Sequence, residues 1–243
     1  MNVDMTPYSR FRVGVIIPAG GTGSRFGHTQ PKQFLELAGK PVLIRTCQAF
    51  LDLETVQTVV IAVPAGYRAY TAELIRTRID PENRLRVLMT DGGLTRQESV
   101  QAGLKVLPDE IDMVLVHDAA RPLVDRETIL RCLDGAARFG ATIAAIQVSD
   151  TLKHVRDDGS IASTVDRRHI WQAQTPQAAR RTLLEQAFAT AALTNFSGTD
   201  EASLLEAAGI PVRVVKGSEH NRKITLPEDL QMAEALLMQR RRS

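Results

Sequence analysis

The sequence predicts an α/β domain with a mostly parallel sheet and helices on both of its faces. Three observations predict it. Strand-like and helix-like segments alternate over roughly the first 150 residues. Runs such as Thr58 to Val63 (TVVIAV) are apolar without interruption, as strands covered on both faces require. A glycine cluster follows directly on the first strand, where open α/β sheets bind their ligands.

The elements follow in order. Val13 to Ile17 is a β-branched run that ends at Pro18. A helix is predicted from near Pro41, with proline in its first turn and Gly39 before it. After the strand at Thr58 to Val63 come a helix at Tyr67 to Arg78, a strand at Arg86 to Met89 and a helix at Gln97 to Leu107. Met113 to His117 (MVLVH) is the next strand, Glu127 to Phe139 a helix and Thr142 to Val148 a strand. Near Asp150 the rhythm breaks. Thr151 to Val155 and Ile161 to Val165 flank Asp157-Asp158-Gly159-Ser160, a hairpin turn. With no helix between them they cannot continue the parallel sheet, so Gln147 to His169 is read as a protruding β-arm. Helices return at Arg180 to Thr190, Glu201 to Ala208 and Pro227 to Arg240, with a strand at Val212 to Val215. The expected object is a single Rossmann-like domain over residues 1–243, with an arm at about 147–169.

Composition excludes several classes. At 44% hydrophobic and 24% charged residues the chain can bury a core without disulfides or a structural metal. A net charge of +2 argues for neither a nucleic-acid nor a membrane surface. Cys47 and Cys132 each lie in an apolar-periodic segment, as buried thiols of an intracellular protein do. No histidines are spaced as a zinc site needs, and no run has the length of a signal peptide's apolar core or a membrane span. The expected location is the cytoplasm.

Three segments carry the chemistry, each after a predicted strand. Pro18 to Gly27 (PAGGTGSRFG) closes with Gln30-Pro31-Lys32-Gln33. Glycines at 20, 21 and 23 admit a phosphate close to backbone N–H groups, and Arg25 and Lys32 add full positive charge. The dinucleotide fingerprint would need glycine where Phe26 stands, and a P-loop would need Gly-Lys-Ser/Thr where Pro31-Lys32-Gln33 stands, so neither applies. Val116 to Pro122 (VHDAARP) brings Asp118 and Arg121 to the same sheet edge. The carboxylate suits a divalent metal or a sugar hydroxyl, and the guanidinium a phosphate. Asp91 to Ser99 (DGGLTRQES) offers backbone amides at Gly92-Gly93 and the Ser99 hydroxyl to a base or ribose. Lys153 and Arg167 lie on the arm, and Lys223 follows the last strand. This cationic set, with no nucleophile–base pair, suits attack by a phosphate monoester on a nucleoside triphosphate. Such a nucleophile already carries about −2 charge and needs positioning and screening rather than a general base.

The motifs PAGGTGSRFG, PKQF, DGGLTRQESV, VHDAARP, SDTLK, TVDRRHIWQAQTPQ, TDEASLLE and NRKITLPEDL, in that order, resemble the 4-diphosphocytidyl-2-C-methyl-D-erythritol synthase family from Val13 to the C-terminal helix. The resemblance implies transfer of CMP from CTP to 2-C-methyl-D-erythritol 4-phosphate, with pyrophosphate released and Mg2+ as cofactor. It implies that Arg25 and Lys32 stabilise charge on the CTP phosphates, and that Arg167 and Lys223 position the acceptor. Ala19, Gly20, Gly93 and Ser99 would meet base and ribose, with Gly21 and Gly23 in the same CTP loop. Asp118, Arg121, Thr151 and Thr175 would line the acceptor side, with Asp118 also a candidate Mg2+ ligand. Relatives of this kind are homodimers with interlocking arms, which would put Thr151 and Arg167 at a neighbour's site. Leu94 departs from the family, where an acid is frequent. The alternative acceptor is ribitol 5-phosphate. No fused cyclase domain is expected in a chain that stops at Ser243.

Overall fold

A computed structural model describes residues 6–20 and 30–240. Its centre is a seven-stranded sheet whose strands are β1 (Val13–Pro18), β4 (Val56–Val63), β5 (Val87–Asp91), β6 (Met113–Val116), β7 (Ala141–Gln147), β10 (Trp171–Arg180) and β11 (Arg213–Lys216). The order is β11-β7-β10-β6-β1-β4-β5. From β1 the chain builds outward through β4 to β5, then returns to lay β6 on the other side of β1. Loops that leave β1 and β6 therefore part at the point where strand order reverses, which opens a crevice at their carboxyl ends.

Alternation along the strands separates two cores. Val13, Val15 and Ile17 of β1, with Ile61 of β4 and Leu115 of β6, pack under α1 (Val42–Leu51), α2 (Arg68–Arg78) and α5 (Arg126–Phe139). Ile16, Val60, Val114 and Val116 face the other way, against α4 (Arg96–Val106), α6 (Arg181–Thr194) and α7 (Glu201–Ala207). A third cluster joins Leu37, Val42, Ala120 and Ile224 to α8 (Pro227–Arg240). Every helix and strand read from the sequence is present within a few residues of its expected limits. The structure adds the short α3 (Pro81–Arg84) and a small ladder of β2 (Glu36–Leu37) and β3 (Lys40–Pro41).

The arm is also present. β8 (Lys153–Val155) and β9 (Ile161–Thr164) pair antiparallel across a turn in which Gly159 has a φ of 81° and Ser160 N–H donates to Asp158 Oδ1 at 2.8 Å. Both strands are exposed along their whole length.

The main departure from expectation is β10, a central strand antiparallel to both β6 and β7. Its sequence (WQAQTPQAAR) carries three glutamines and a proline, which argue against a central strand. The structure reconciles them through a register shift between Ala173 and Gln177, so Pro176 is not asked for a ladder hydrogen bond. The polar groups of this bulge are satisfied from the loop after β11. Gln174 Nε2 donates to the Ser218 carbonyl at 2.9 Å, and Asn221 Nδ2 to the Thr175 carbonyl at 2.7 Å.

Helix α4 lies close on β1 because residue 103 is glycine: a Cβ there would meet Ile16 Cγ2 at 2.5 Å. Ile16 is fully buried and has nowhere to go. Gly103→Val is expected to lower stability by about 1–3 kcal/mol through overpacking, read as a shifted urea midpoint. An unchanged midpoint would mean that α4 moves outward freely.

Candidate active site

Two groups of residues converge in the crevice. The first is built by backbone. Ala19 leaves β1 with its N–H bonded to the Ala62 carbonyl at 2.9 Å, and Gly92 leaves β5 with its N–H bonded to the Val63 carbonyl at 2.8 Å. Ser99, buried in the first turns of α4, accepts the Gly93 N–H at 3.1 Å and donates to the Thr95 carbonyl at 2.9 Å. A Cβ on Gly20 would lie 3.2 Å from Ser99 Oγ, and one on Gly92 would lie 3.2 Å from the same atom. Glycine at both places lets the two loops close over Ser99 without crowding its hydroxyl. Ala19, Gly20, Gly93 and Ser99 lie together in this group. The Ser99 hydroxyl, however, braces the loop with both of these bonds. Leu94 is fully exposed, and its N–H rather than its side chain is engaged, by Glu98 at 2.7 Å.

Lys32 opens a 3-10 turn, Lys32–Phe34. Gln33 of that turn donates to the Ala19 carbonyl, and Phe34 stacks on Tyr67 with centroids 4.9 Å apart. These contacts hold Lys32 beside the β1 loop. Gly21, Gly23 and Arg25 lie outside the described residues.

The second group is electrostatic. Asp118 follows β6 and is buried, yet its carboxylate faces three cations. Arg96 Nε is 3.0 Å from Oδ1, Lys223 Nζ is 2.9 Å from Oδ2, and Arg121 Nε is 3.5 Å from Oδ2. Burial alone would raise the Asp118 carboxyl; Arg96, Lys223 and Arg121 overcome it and hold the group well below the usual carboxylate range. Arg96 reaches onward, its Nη1 and Nη2 donating to Glu201 Oε1 and Oε2 at 2.7 and 2.9 Å. With three cations against two carboxylates, one positive charge is left in excess, an environment fit for a phosphate. Lys223 reaches Asp118 because Ile224 N–H bonds the Ala120 carbonyl at 2.8 Å and the Asn221 carbonyl accepts from Arg121 Nη1 at 2.8 Å.

Thr175, in the β10 bulge, completes the group. Its Oγ1 accepts the Asp118 N–H at 3.1 Å and lies 3.0 Å from His117 Nδ1. His117 Nε2 lies 3.0 Å from the Arg121 carbonyl, which can only accept. These partners assign the proton to Nε2, so Nδ1 accepts from Thr175. Thr151 and Arg167 are not brought to this cluster; both are exposed on the arm, where Arg167 donates to the Ser149 carbonyl.

Arg96, Glu201 and His117 were not singled out from the sequence, although each lies in a quoted motif. Arginine at a helix start and glutamate after an Asp N-cap read as ordinary helix termini until the fold sets them face to face. As a Mg2+ ligand Asp118 does not fit: both of its oxygens face cationic side chains. Among the described residues no group of three or more His, Cys, Asp or Glu could hold a metal.

Glycine-built loops at the ends of β1 and β5, beside a buried and net cationic cluster at the end of β6, suit a nucleotide set against a second anion, and similarity to known proteins gives the class: a nucleotidyltransferase. The comparisons make this specific. The family model for 2-C-methyl-D-erythritol 4-phosphate cytidylyltransferase matches residues 13–239. The chain is 44% identical over 241 residues to the cytidylyltransferase of that name from Acidobacterium capsulatum, covering 94% of this chain and 98% of the relative. It is 46% identical over 228 residues to the bifunctional enzyme IspD/IspF of Desulfotalea psychrophila, covering 93% of this chain and 57% of that longer protein. The crystal structure of 2-C-methyl-D-erythritol 4-phosphate cytidylyltransferase from Thermus thermophilus superposes with a TM-score of 0.77 at 35% identity, over 93% of this chain and 99% of that one. This chain belongs to the 2-C-methyl-D-erythritol 4-phosphate cytidylyltransferase family.

Burial pushes the His117 imidazole down to about 4, although the Arg121 carbonyl and Asp118 oppose the shift. The unfolded chain therefore binds a proton that the folded one refuses between about pH 6.5 and 4, and stability is lost as pH falls through that window. The loss is expected to reach about 3 kcal/mol, because each pH unit crossed within the window costs ~1.4 kcal/mol. Asp118 acts lower: its contribution disappears only below its ordinary value of 3.8. Urea unfolding from pH 7 to 4 should show this slope in the parent chain and lose most of it in His117→Gln.

Proposed function

We propose that the loops after β1 and β5 receive CTP and that the Asp118 cluster receives 2-C-methyl-D-erythritol 4-phosphate. The enzyme is a cytidylyltransferase of isoprenoid precursor biosynthesis: CMP passes from CTP to the acceptor, giving 4-diphosphocytidyl-2-C-methyl-D-erythritol and pyrophosphate. An acceptor phosphate oxygen attacks the α-phosphorus of CTP; that O–P bond forms as the bond to the β-phosphate's bridging oxygen breaks, and pyrophosphate leaves. The nucleophile arrives carrying about −2 charge, so the task is to hold two anions in line and screen their repulsion.

The observation that carries this reading is the first turn of α4. Ser99 supports the nucleotide loops, while Arg96, three residues earlier, meets Asp118. Side chains three apart on a helix are neighbours, at about 5–6 Å between Cβ atoms. Donor and acceptor regions therefore adjoin across one helical turn. Arg121 and Lys223 suit the acceptor phosphate, Asp118 a polyol hydroxyl, and Lys32, with Arg25, the CTP phosphates. Thr175 supports Asp118 from beneath. When present, Mg2+ held by the CTP phosphates would neutralise part of their charge. The Acidobacterium capsulatum relative and the Thermus thermophilus structure are named for methylerythritol phosphate, which favours that acceptor over ribitol 5-phosphate. Lys32→Ala is expected to cut turnover about 100-fold, the typical cost of a lost preorganised donor, while calorimetric CTP binding changes little. Near-normal turnover would remove Lys32 from the site. Pyrophosphate release with CTP and each polyol phosphate in turn tests the acceptor; equal or better use of ribitol 5-phosphate would overturn the choice.

The active unit is proposed to be a homodimer in which Arg167 and Thr151 serve the partner's site. Supporting this, Val155, Ile161, Ile170 and Trp171 on and beside the arm are exposed apolar side chains. A lone hairpin is also only marginally stable in water. No helix among the described residues is long and apolar enough to cross a membrane. Buried, unpaired Cys47 and Cys132 support a cytoplasmic location. Inactive Lys32→Ala and inactive Arg167→Ala, unfolded and refolded together, should regain activity in about one quarter of all sites, because random pairing makes about half the dimers mixed. Verified mixed dimers without activity would place Arg167 in its own chain's site.

A further inference from the structure

Glu201 lies behind the acceptor cluster, joined to it through Arg96, and the transfer as described gives it no role of its own. Glu201 is 3% exposed at its side chain and is the first residue of α7. Its backbone is held on both sides, because Gln177 donates to Asp200 Oδ2 at 2.8 Å and accepts the Ala202 N–H at 2.9 Å. Burial raises the Glu201 carboxyl, and Arg96 opposes that rise. A well-packed apolar residue at such a place usually serves stability as well as a buried ion pair does, so the pair calls for another account. Its geometry supplies one. Arg96 presents its Nη1–Nη2 fork to Glu201 and its Nε edge to Asp118 Oδ1. A planar guanidinium held bidentately at one end has little freedom at the other.

We propose that Glu201 is a positioning residue for cytidylyl transfer: by holding the Arg96 fork from behind, it fixes the carboxylate of Asp118 against which the acceptor is oriented. This rests on the reading that Asp118 belongs to the acceptor side. Glu201 touches neither substrate; it acts through Arg96. Two consequences separate this role from simple attachment of α7 to α4. Charge at residue 96 is not enough, because a lysine ammonium cannot serve both carboxylates with a rigid fork. The effects of Glu201 and Arg96 substitutions also cannot be independent, since one works through the other.

The test uses the full chain with Glu201→Gln, Arg96→Lys, the double variant and Asp118→Asn. Steady-state rates are measured at saturating CTP over a range of 2-C-methyl-D-erythritol 4-phosphate, with calorimetric CTP binding, all well below each variant's melting midpoint. Glu201→Gln and Arg96→Lys are each expected to lower acceptor kcat/KM about 30-fold, mainly through KM. CTP Kd should stay within about twofold, and the double variant should be no worse than the poorer single one. Three results would overturn the proposal: normal acceptor kinetics in Glu201→Gln with only a lower melting midpoint, CTP binding lost in step with acceptor use, or effects that multiply in the double variant. Should Glu201→Gln fail to fold, Arg96→Lys carries the test alone, and normal acceptor kinetics in it would overturn the proposal. Normal acceptor kinetics in Asp118→Asn would instead refute the assignment of the acceptor side, a separate failure.

Discussion

Burial of the Asp118 charge is the constraint around which the functional end of this molecule is arranged. A carboxylate out of water is tolerated only when cations and hydrogen-bond donors compensate it. Here the cations come from places remote in sequence: Arg96 from the start of α4, Arg121 from the loop after β6 and Lys223 from the loop before α8, while Thr175 accepts the Asp118 N–H and so fixes the backbone that carries the charge. Each must be delivered by its own element. The close approach of α4 to β1, the seating of Ile224 beside Ala120 and the shape of β10 are the deliveries. Removing one partner would leave the rest mismatched, so the cluster acts as a unit.

The antiparallel strand β10 does more than fill a gap between β6 and β7. Its bulge faces the loop after β11 with Gln174 and the Thr175 carbonyl. That loop then runs directly into Asn221 and Lys223. The polar residues of the strand are thus an interface between the sheet and the C-terminal segment, and they add to the Ile224–Ala120 and Arg121–Asn221 hydrogen bonds that hold Lys223 beside Asp118.

This also explains what was legible in the sequence. Elements with one dominant period were readable, because β1, β4 and β6 are continuous apolar runs and α5 has a well-defined apolar stripe. β10 was not, because Gln172, Gln174, Thr175, Pro176 and Gln177 deny it either pattern. Its strand character comes from tertiary pairing that one-dimensional periodicity does not encode. In the site, Gly20, Gly93, Asp118 and Arg121 were legible as residues following strands, and Ser99 as one on the helix that such a segment opens, while Ala19 entered only through the family resemblance. Arg96 and Glu201 were not, because an ion pair between positions 105 residues apart leaves no local trace. The resemblance to a known family supplied roles for Lys223 and Thr175 that spacing alone would not have suggested.

The reversal of strand order at β1 has an evolutionary corollary. On the proposed reading the backbone that receives the nucleotide belongs to one half of the sheet, at β1, β4 and β5, and the side chains that receive the acceptor to the other, at β6, β10 and the segment after β11. The halves are joined across the crevice chiefly through the first turn of α4. On that reading donor choice and acceptor choice rest on nearly separate parts of the chain. On that reading a change of polyol phosphate would fall chiefly on residues 117–121 and 217–225, with Arg96 of α4 the member of the cluster shared with the nucleotide side.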